Sequence, residues 1–378
     1  MKIMNLTSKL ALLAGVAIMA SCSSNGSADK TTDSTNVDTS TAATASMTAI
    51  KATGPVPEWG KSIKPEMQAV IEKLVSYGDK PIETLSAVDA RKNHTPTDAV
   101  MDLIKENNIT LPASTVDTTG KDIPVSGGNI HLRIYTPKAG NGPFPVIVYY
   151  HGGGFVIANL DVYDASAKGL AEQVGAVVVS VAYRLAPEHK FPTAHNDSFA
   201  AYEWVVKNAA SIKGNPAKIA VVGESAGGNL AANVSIMARD KKITVPVHEV
   251  LVYPIAQADM NTESYKMYGN AKPLNKAMMA WFTEKYVSDM DQAKDPRISL
   301  VLANLKGLPA TTIITAEIDP LNSDGKMLAD QLKAAGVSVD SKNYAGVTHE
   351  FFGMAAVVPQ AKEAQAYAAD QLKSAFKK

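Results

Sequence analysis

The sequence predicts an α/β fold, in which a mostly parallel sheet is covered by helices on both faces. Apolar runs rich in β-branched residues alternate along the chain with stretches of helical periodicity. Each run is nearly continuous rather than interrupted by polar residues, which is typical of strands that are buried on both faces. Strands of this kind separated by helices indicate a parallel sheet between two helical layers. No internal repeat is visible in the sequence.

Length and composition limit the classes of protein to consider. The 378 residues suffice for one large domain or two ordinary ones. The 37 Lys and Arg residues balance the 37 Asp and Glu residues, whereas nucleic-acid binders carry a basic excess or patch. We therefore expect no nucleic-acid partner. The single cysteine, Cys22, excludes a disulfide framework, a Cys-based zinc site and a cysteine nucleophile in the body of the chain.

Residues 1–21 have the composition of an export signal peptide. Lys2 and Lys9 supply the positive charge at the start, and residues 10–20 form an uncharged apolar run. Eleven residues are too few to cross a hydrocarbon core of about 30 Å comfortably. An ordinary transmembrane helix is therefore not expected here.

The predicted signal peptide ends in a motif that resembles a bacterial lipobox, Met-Ala-Ser-Cys at 19–22. Cleavage before Cys22 would leave a lipid-bearing cysteine at the amino terminus. Residues 22–50 would then form a disordered tether, because 23–49 contain 13 Ser or Thr and no aromatic residue. We expect an exported, membrane-anchored lipoprotein on the periplasmic or cell-surface face. The alternative is a secreted soluble protein cleaved nearby.

Residues 51–378 form the predicted globular domain. It starts with two helices, over 65–77 and 97–106, which are followed by strands over 116–125 and 129–135. The buried-type strands predicted after them are Val146–Tyr150, Ala176–Val181, Ile219–Val222, Glu249–Tyr253, Thr311–Thr315 and Val337–Tyr344. Helical periodicity lies between and after these strands, for example at 193–209, 226–239, 324–335 and 360–376.

The first chemical motif is Gly-Glu-Ser-Ala-Gly at 223–227. A short apolar strand, 218–222, leads directly into it, and a helix over 229–239 follows. This strand-turn-helix context is that of a nucleophile elbow, in which small flanking residues allow a tight turn that exposes the hydroxyl of Ser225. The alternative interpretation is a glycine-rich turn with an incidental serine.

The second motif is His-Gly-Gly-Gly-Phe at 151–155, directly after the strand over 146–150. Consecutive glycines let the backbone approach a ligand with several N–H groups pointing the same way, as an oxyanion hole requires. The expected donors are the N–H groups of Gly153, Gly154 and Ala226. We interpret the histidine of the motif as structural. A phosphate-binding loop is disfavoured because neither Lys-Ser/Thr nor the Gly-x-Gly-x-x-Gly spacing is present.

A general base and an orienting acid must follow the serine in the order Ser, Asp or Glu, His. Two histidines follow Ser225, and His248, just before a buried strand, is interpreted as structural. His349 lies in a loop after the last predicted strand, so it is the candidate base. Asp319, after the strand over 311–315, is the preferred acid, and Asp259 and then Glu317 are the alternatives. The acid would hold the imidazole tautomer and stabilise its charged form.

Together these motifs resemble the hormone-sensitive-lipase-like branch of the α/β-hydrolases, the bacterial carboxylesterases. The matching motifs are His151–Phe155, Gly223–Gly228, Asp319–Leu321 and His349. Residues 183–188, Tyr-Arg-Leu-Ala-Pro-Glu, also match, and we interpret them as structural residues that join loops through an ion pair. The chain differs in having Glu224 where many members have Asp, and His-Glu-Phe where many have His-Gly-Phe.

The resemblance implies an eight-stranded α/β-hydrolase sheet with a helical cap, here from about 55–112 and 260–300. It implies a serine carboxylesterase for short-to-medium acyl esters, with Ser225, Asp319 and His349 as the catalytic triad and with no cofactor or metal. A small-molecule ester is the expected partner. Amide hydrolysis on the same triad, or a ligand-binding relative without hydrolysis, are the alternatives. The large apolar residues of 260–300 lie at helical spacing, which favours a core role over an acyl-binding wall.

Overall fold

Residues 50–378, the part of the chain described by the computed structural model, form one eight-stranded sheet. Cys22 and the predicted signal peptide and tether up to residue 49 lie outside the described residues. The strands are β1 Val116–Val125, β2 Gly128–Pro137, β3 Phe144–Tyr150, β4 Val177–Ala182, β5 Gly214–Glu224, β6 Glu249–Val252, β7 Thr311–Ile318 and β8 Val339–Thr348. Their order is β1-β2-β4-β3-β5-β6-β7-β8.

Helices connect the strands and cover the sheet. Those of the described part of the chain are α1 Pro65–Ser76, α2 Ala87–Ala90, α3 Pro96–Glu106, α4 Asp164–Val174, α5 Thr193–Asn208, α6 Ala226–Asp240, α7 Glu263–Tyr268, α8 Lys276–Tyr286, α9 Asn322–Ala334 and α10 Pro359–Lys377. Helix α3 begins with a capping box between Thr95 and Asp98, which satisfies backbone N–H groups that the first turn leaves free. None of the helices in 50–378 is long and apolar enough to span a bilayer.

The sheet is mostly parallel, as predicted. The pairs β1–β2 and β2–β4 are antiparallel, and every pair from β4 through β3 to β8 is parallel. Alternate residues of β3 face opposite layers. Val146 and Val148 pack in the cluster that holds α5, α6, α8 and α9, whereas Ile147 and Tyr149 pack in the cluster that holds α1, α3, α4 and α10. The sheet is therefore buried between two apolar layers.

Several strands extend beyond the apolar runs that predicted them, whereas β6 ends at Val252, one residue before its predicted end. Strand β5 begins at Gly214 rather than Ile219, and its pairing with β3 is irregular between these two residues. Strand β8 continues past Tyr344 to Thr348, where Thr348 pairs with Ile318 of β7 beyond a second irregularity. Pairing with a neighbour can hold polar residues in a strand that an apolar pattern does not reveal. As a result, His349 directly follows the end of a strand.

Helix α4 was not among the helices that periodicity indicated. Its buried face consists mostly of small residues, Ser166, Ala167 and Ala171, with Leu170 as the one large member. A face of small residues lets the helix approach the sheet closely.

The two predicted cap segments occupy different places. Helices α1 and α3, from 55–112, pack in the same apolar layer as α10. Residues from 260–300, including α8, supply most of the walls of the pocket described below. The segments meet where the indole N–H of Trp281 donates to the carbonyl of Leu85, at 3.1 Å.

Candidate active site

Ser225 lies at the sharp turn between β5 and α6. Its backbone has φ 56° and ψ −116°, a conformation that non-glycine residues adopt at a cost of about 1–3 kcal/mol. A Cβ on Gly223 would lie 2.0 Å from the carbonyl oxygen of Gly227, and a Cβ on Gly227 would lie 2.0 Å from that of Tyr150. Both flanking positions therefore require glycine, which is the steric requirement that the sequence motif indicated.

The structure brings Ser225, His349 and Asp319 into one hydrogen-bond chain. Ser225 Oγ is 2.9 Å from His349 Nε2, and His349 Nδ1 is 2.7 Å from Asp319 Oδ2. A carboxylate can only accept, so Nδ1 carries the proton and Nε2 is left to accept from the serine hydroxyl. All three side chains are at least 95% buried. Water therefore does not compete for these contacts.

Burial and charge act in opposite directions on His349. Burial disfavours the imidazolium and lowers the pKa, but the charge and hydrogen bond of Asp319 raise it, with smaller contributions from Glu350 and Glu224. The net pKa of His349 lies above its ordinary value. The site thus stabilises a protonated imidazole, which is the form that a general base reaches when it takes a proton.

The other candidate acids are bonded elsewhere. Asp259 is exposed and accepts from the backbone N–H of Asn261, at 2.9 Å. Glu317 accepts from Ser62 Oγ and from the backbone N–H of Gly346. The second oxygen of Asp319 accepts from the backbone N–H of Leu321, which orients this carboxylate.

The remaining histidines of interest have structural contacts. His248 Nε2 is 2.9 Å from Thr312 Oγ1, inside the sheet layer. His151 is buried, its Nδ1 is 2.7 Å from the carbonyl oxygen of Gly152, and its ring stacks on Tyr183 with centroids 4.3 Å apart. Burial lowers the pKa of His151 to about 4, so its ring is neutral near pH 7. This matches the interpretation of both residues as structural.

The 183–188 segment joins loops through ion pairs, as interpreted from the sequence. Arg184 pairs with the buried Asp197 at 2.7 Å. Arg91 pairs with Glu188 at 2.7 Å and also donates to the carbonyl of Ala186. The segment therefore connects α5 to the loop around α2.

The glycine loop lies against the serine turn. Gly153 and Gly154 have φ of 100° and 59°, and a Cβ on Gly154 would lie 2.3 Å from the ring of Phe282. Among residues 50–378, no acceptor is bonded to the backbone N–H groups of Gly153, Gly154 or Ala226. Ala226 is the first residue of α6, where backbone N–H groups have no partner within the helix. Free donors are therefore available beside Ser225.

Two further carboxylates, those of Glu224 and Glu350, directly adjoin Ser225 and His349 in the chain, and no sequence motif assigned them a role. Glu224 is buried and accepts from the hydroxyls of Tyr149 and Tyr253. Burial raises the pKa of Glu224, against these hydrogen bonds. Glu350, in the left-handed conformation with φ 66°, accepts from Tyr163 Oη at 3.1 Å. The two positions at which the chain differs from many family members thus both contact tyrosines near His349.

A pocket opens beside Gly154. Its empty volume is about 410 Å³, a figure that includes open solvent at the mouth. The lining is mainly apolar and comes largely from α8 and the loops around it: Gly154, Phe155, Ile255, Gln257, Ala258, Met260, Met279, Phe282, Thr283, Tyr286, Val287, Ala293 and Ile298. Met279 and Phe282 are also buried core residues. The core role favoured by their spacing is therefore combined with a role as pocket wall.

Within 50–378, no group of three or more His, Cys, Asp or Glu side chains is arranged to hold a metal ion.

Comparisons with known proteins agree with this fold. A family model for the alpha/beta hydrolase fold matches residues 147–353. Carboxylesterase NlhH of Mycobacterium tuberculosis is 41% identical over 252 residues, which are 66% of this chain and 79% of the relative. Ethyl acetate hydrolase of Pseudomonas putida is 31% identical over 313 residues, which are 80% of this chain and 96% of the relative.

Solved structures give the same result. A hyperthermophilic esterase from Pyrobaculum calidifontis superposes with a TM-score of 0.76 at 36% identity, and the match covers 82% of this chain and 98% of the esterase. An esterase from Pseudomonas putida matches with the same TM-score at 32% identity, over 84% of this chain and 98% of that one. The chain belongs to the alpha/beta hydrolase fold family, in its hormone-sensitive-lipase-like branch of bacterial carboxylesterases.

Proposed function

We propose that the protein is a serine carboxylesterase with Ser225, His349 and Asp319 as its catalytic triad. The observation that carries the proposal is the buried hydrogen-bond chain from Ser225 Oγ through His349 to Asp319. Ser225 attacks the ester carbonyl while Nε2 of His349 takes its proton, and the imidazolium then protonates the leaving alcohol. Water cleaves the acyl-enzyme by the same route. Asp319 holds the tautomer that makes both steps possible.

The N–H groups of Gly153, Gly154 and Ala226 would stabilise the oxyanion. Their lack of other acceptors, and the position of Ala226 at the N-terminus of a 15-residue helix, support this role. Such donors stabilise the tetrahedral intermediate more than the planar ester, because the negative charge develops only after attack.

The apolar lining of the pocket supports short-to-medium acyl esters as substrates. The names of the relatives, carboxylesterase and ethyl acetate hydrolase, point in the same direction. A peptidase on the same triad, or a ligand-binding relative without hydrolysis, would be recognised by the assay below.

The test is hydrolysis of p-nitrophenyl acetate, butyrate and octanoate by the purified full-length chain. We expect turnover of the shorter esters, and Ser225→Ala should lower kcat by about 10⁶-fold, as loss of a serine nucleophile does elsewhere. Circular dichroism should show the same fold for both proteins. A folded wild type that hydrolyses only p-nitroanilides would indicate an amidase, and one that binds a small ligand without turnover would indicate a receptor.

We also propose that the enzyme is exported and anchored to a membrane through a lipid on Cys22, with residues 22–50 as the tether. The proposal rests on the sequence of residues 1–49. In a bacterial host, the wild type should fractionate with membranes, and Cys22→Ala should move the esterase to the soluble exported fraction. Equal soluble fractions for both proteins would favour the secreted alternative.

A further inference from the structure

The pocket has few polar side chains. Apart from its aromatic residues, two lining side chains carry hydrogen-bonding groups, those of Gln257 and Thr283. Thr283 Oγ1 donates its hydrogen to the carbonyl of Met279, one helical turn earlier, at 2.9 Å. The hydroxyl hydrogen is therefore used within α8.

The side-chain amide of Gln257 is hydrogen-bonded to a buried acid, Asp324. Its Nε2 donates to Asp324 Oδ1 at 3.1 Å and to the sulfur of Met327 at 3.4 Å. Both amide hydrogens therefore have acceptors inside the protein. Among residues 50–378, no donor is bonded to Gln257 Oε1, so this oxygen is the free polar atom of the side chain.

The surroundings of Asp324 fix the orientation of its carboxylate toward the Gln257 amide. It is fully buried on α9, and its other oxygen accepts from the backbone N–H groups of Ala256 and Gln257, at 3.0 and 3.2 Å. An ionised carboxylate only accepts, so the amide must present its nitrogen to Asp324, which leaves Oε1 without a bonded partner among residues 50–378. Burial raises the pKa of Asp324 to about 7, with the nearby Asp319 adding to the shift. The orientation is therefore best defined above pH 8.

The backbone places Gln257 close to the reacting serine. The N–H of Ile255 donates to the carbonyl of Ser225 at 3.2 Å. Gln257 is two residues further on, and two residues span at most about 7 Å. Gln257 lines the same pocket as Gly154 of the glycine loop.

We propose that Gln257 is a specificity-determining residue, whose Oε1 accepts a hydrogen bond from a hydroxyl on the substrate. The preferred substrates are then hydroxylated esters, with the hydroxyl in the acyl part or in the alcohol part. The proposal rests on the esterase function proposed above. Asp324 acts as a positioning residue, because it orients the amide without touching the substrate.

The experiment compares matched esters at pH 8.5, where Asp324 is ionised. For the acyl part, the pair is the p-nitrophenyl ester of 3-hydroxybutyrate and that of 3-methoxybutyrate, which lacks the donor. For the alcohol part, the pair is 2-hydroxyethyl butyrate and 2-methoxyethyl butyrate. The quantity measured is the ratio of kcat/KM for hydroxyl over methoxy ester. Because each ratio is taken within one protein, it does not depend on the fraction of active enzyme.

The wild type should prefer the hydroxyl ester in one of the two pairs, which identifies the part that the pocket binds. Gln257→Met, of similar length but without an acceptor, should lower that ratio about fivefold, as expected for loss of one neutral hydrogen bond. Thr283 Oγ1 keeps its acceptor lone pairs, so Thr283→Val tests this competing acceptor and should leave the ratio at the wild-type value if Gln257 is the partner. Asp324→Asn should lower the ratio as well, since it can present a donor to the amide oxygen.

Two outcomes overturn the proposal while the esterase function stands. One is a wild type without a hydroxyl preference in either pair, and this result needs no variant to fold. The other is a preference that Gln257→Met preserves or that Thr283→Val removes. If no ester is hydrolysed at all, the proposed esterase function fails and this inference fails with it.

Discussion

The serine turn and the pocket wall lie next to each other but are built in different ways. At the turn, the limiting contacts are between backbone atoms: added Cβ atoms on Gly223 and Gly227 would both lie 2.0 Å from carbonyl oxygens. At the wall, the contacts are between side chains of α8 and the loops around it, such as Phe282 and Met279. Backbone contacts tolerate almost no substitution, whereas side-chain contacts can be replaced one at a time. The residues of the serine turn are therefore hard to substitute, whereas those of the pocket wall can be changed.

Apart from loss of the Ser225 hydroxyl, the largest effect is expected at the charge that faces His349. Asp319→Asn should lower kcat by about 10⁴-fold, because an amide can donate to Nδ1 and favour the wrong imidazole tautomer. The matched control is Asp259→Asn, the exposed alternative acid, which should keep kcat within about twofold. Steady-state kinetics on p-nitrophenyl butyrate give both values. A large loss for Asp259→Asn with a small one for Asp319→Asn would reverse the assignment.

The next largest effect is expected where the glycine loop contacts the pocket wall. Gly154→Ala should lower kcat by about 10²–10³-fold, because its Cβ would lie 2.3 Å from the Phe282 ring and displace an oxyanion donor. Gly175→Ala is the matched control: Gly175 has a similar φ of 69° but nothing within 4 Å of an added Cβ. It should cost about 1 kcal/mol of stability and leave kcat unchanged.

The double variant Gly154→Ala/Phe282→Ala separates the two causes of that loss. If the clash with the ring displaces the loop, removing the ring should restore part of kcat. No recovery would mean that the left-handed backbone at Gly154 alone requires glycine.

A smaller effect is expected within the pocket wall. Phe282→Ala should raise the ratio of kcat/KM for p-nitrophenyl octanoate over butyrate by about tenfold, because the space of one ring accommodates additional methylenes. Met278→Ala, on the same helix but outside the pocket lining, should leave the ratio near the wild-type value. An unchanged ratio for Phe282→Ala would show that the pocket does not bind the acyl chain.

The smallest effect concerns pH. Glu350 is one of the charges that raise the pKa of His349, after the opposing effect of burial and the larger contribution of Asp319. Hydrolysis requires neutral His349, so activity rises with pH through this pKa. Glu350→Gln removes the negative charge, lowers the pKa and should move the acid limb of the kcat/KM profile to lower pH. Tyr163→Phe, which removes the hydrogen bond but keeps the charge, is the control for loop position.

An acid limb that Glu350→Gln leaves in place would contradict this prediction and indicate that Glu350 is protonated when His349 titrates. Burial also raises the pKa of Glu350 itself. A limb that moves in Glu350→Gln and not in Tyr163→Phe would assign the effect to charge.

Much of the molecule was predictable from local sequence. The apolar runs indicated the strands that form the parallel part of the sheet, because burial on both faces requires nearly continuous apolar residues. The prediction was less accurate at strand ends, such as β8, where pairing with β7 extends the strand to Thr348. Helix α4, whose buried face consists mostly of small residues, was not predicted.

The sequence by itself determined the residue types of the reacting centre. The motifs of the serine turn and of the glycine loop are each continuous in the chain, so both can be recognised before the fold is known. Position after a predicted strand narrowed the acid that meets His349 to three candidates, and in the tertiary structure Asp319 makes that contact.

Only the tertiary structure decided the contacts that tune this centre. Asp324 and Gln257 are 67 residues apart, and Tyr163 and Glu350 are 187 residues apart. Their meeting depends on strand order and on how the loops after β6, β7 and β8 pack at one edge of the sheet. No local sequence pattern predicts a contact between residues so far apart in the chain, because neither side chain differs from an ordinary polar residue in its own segment.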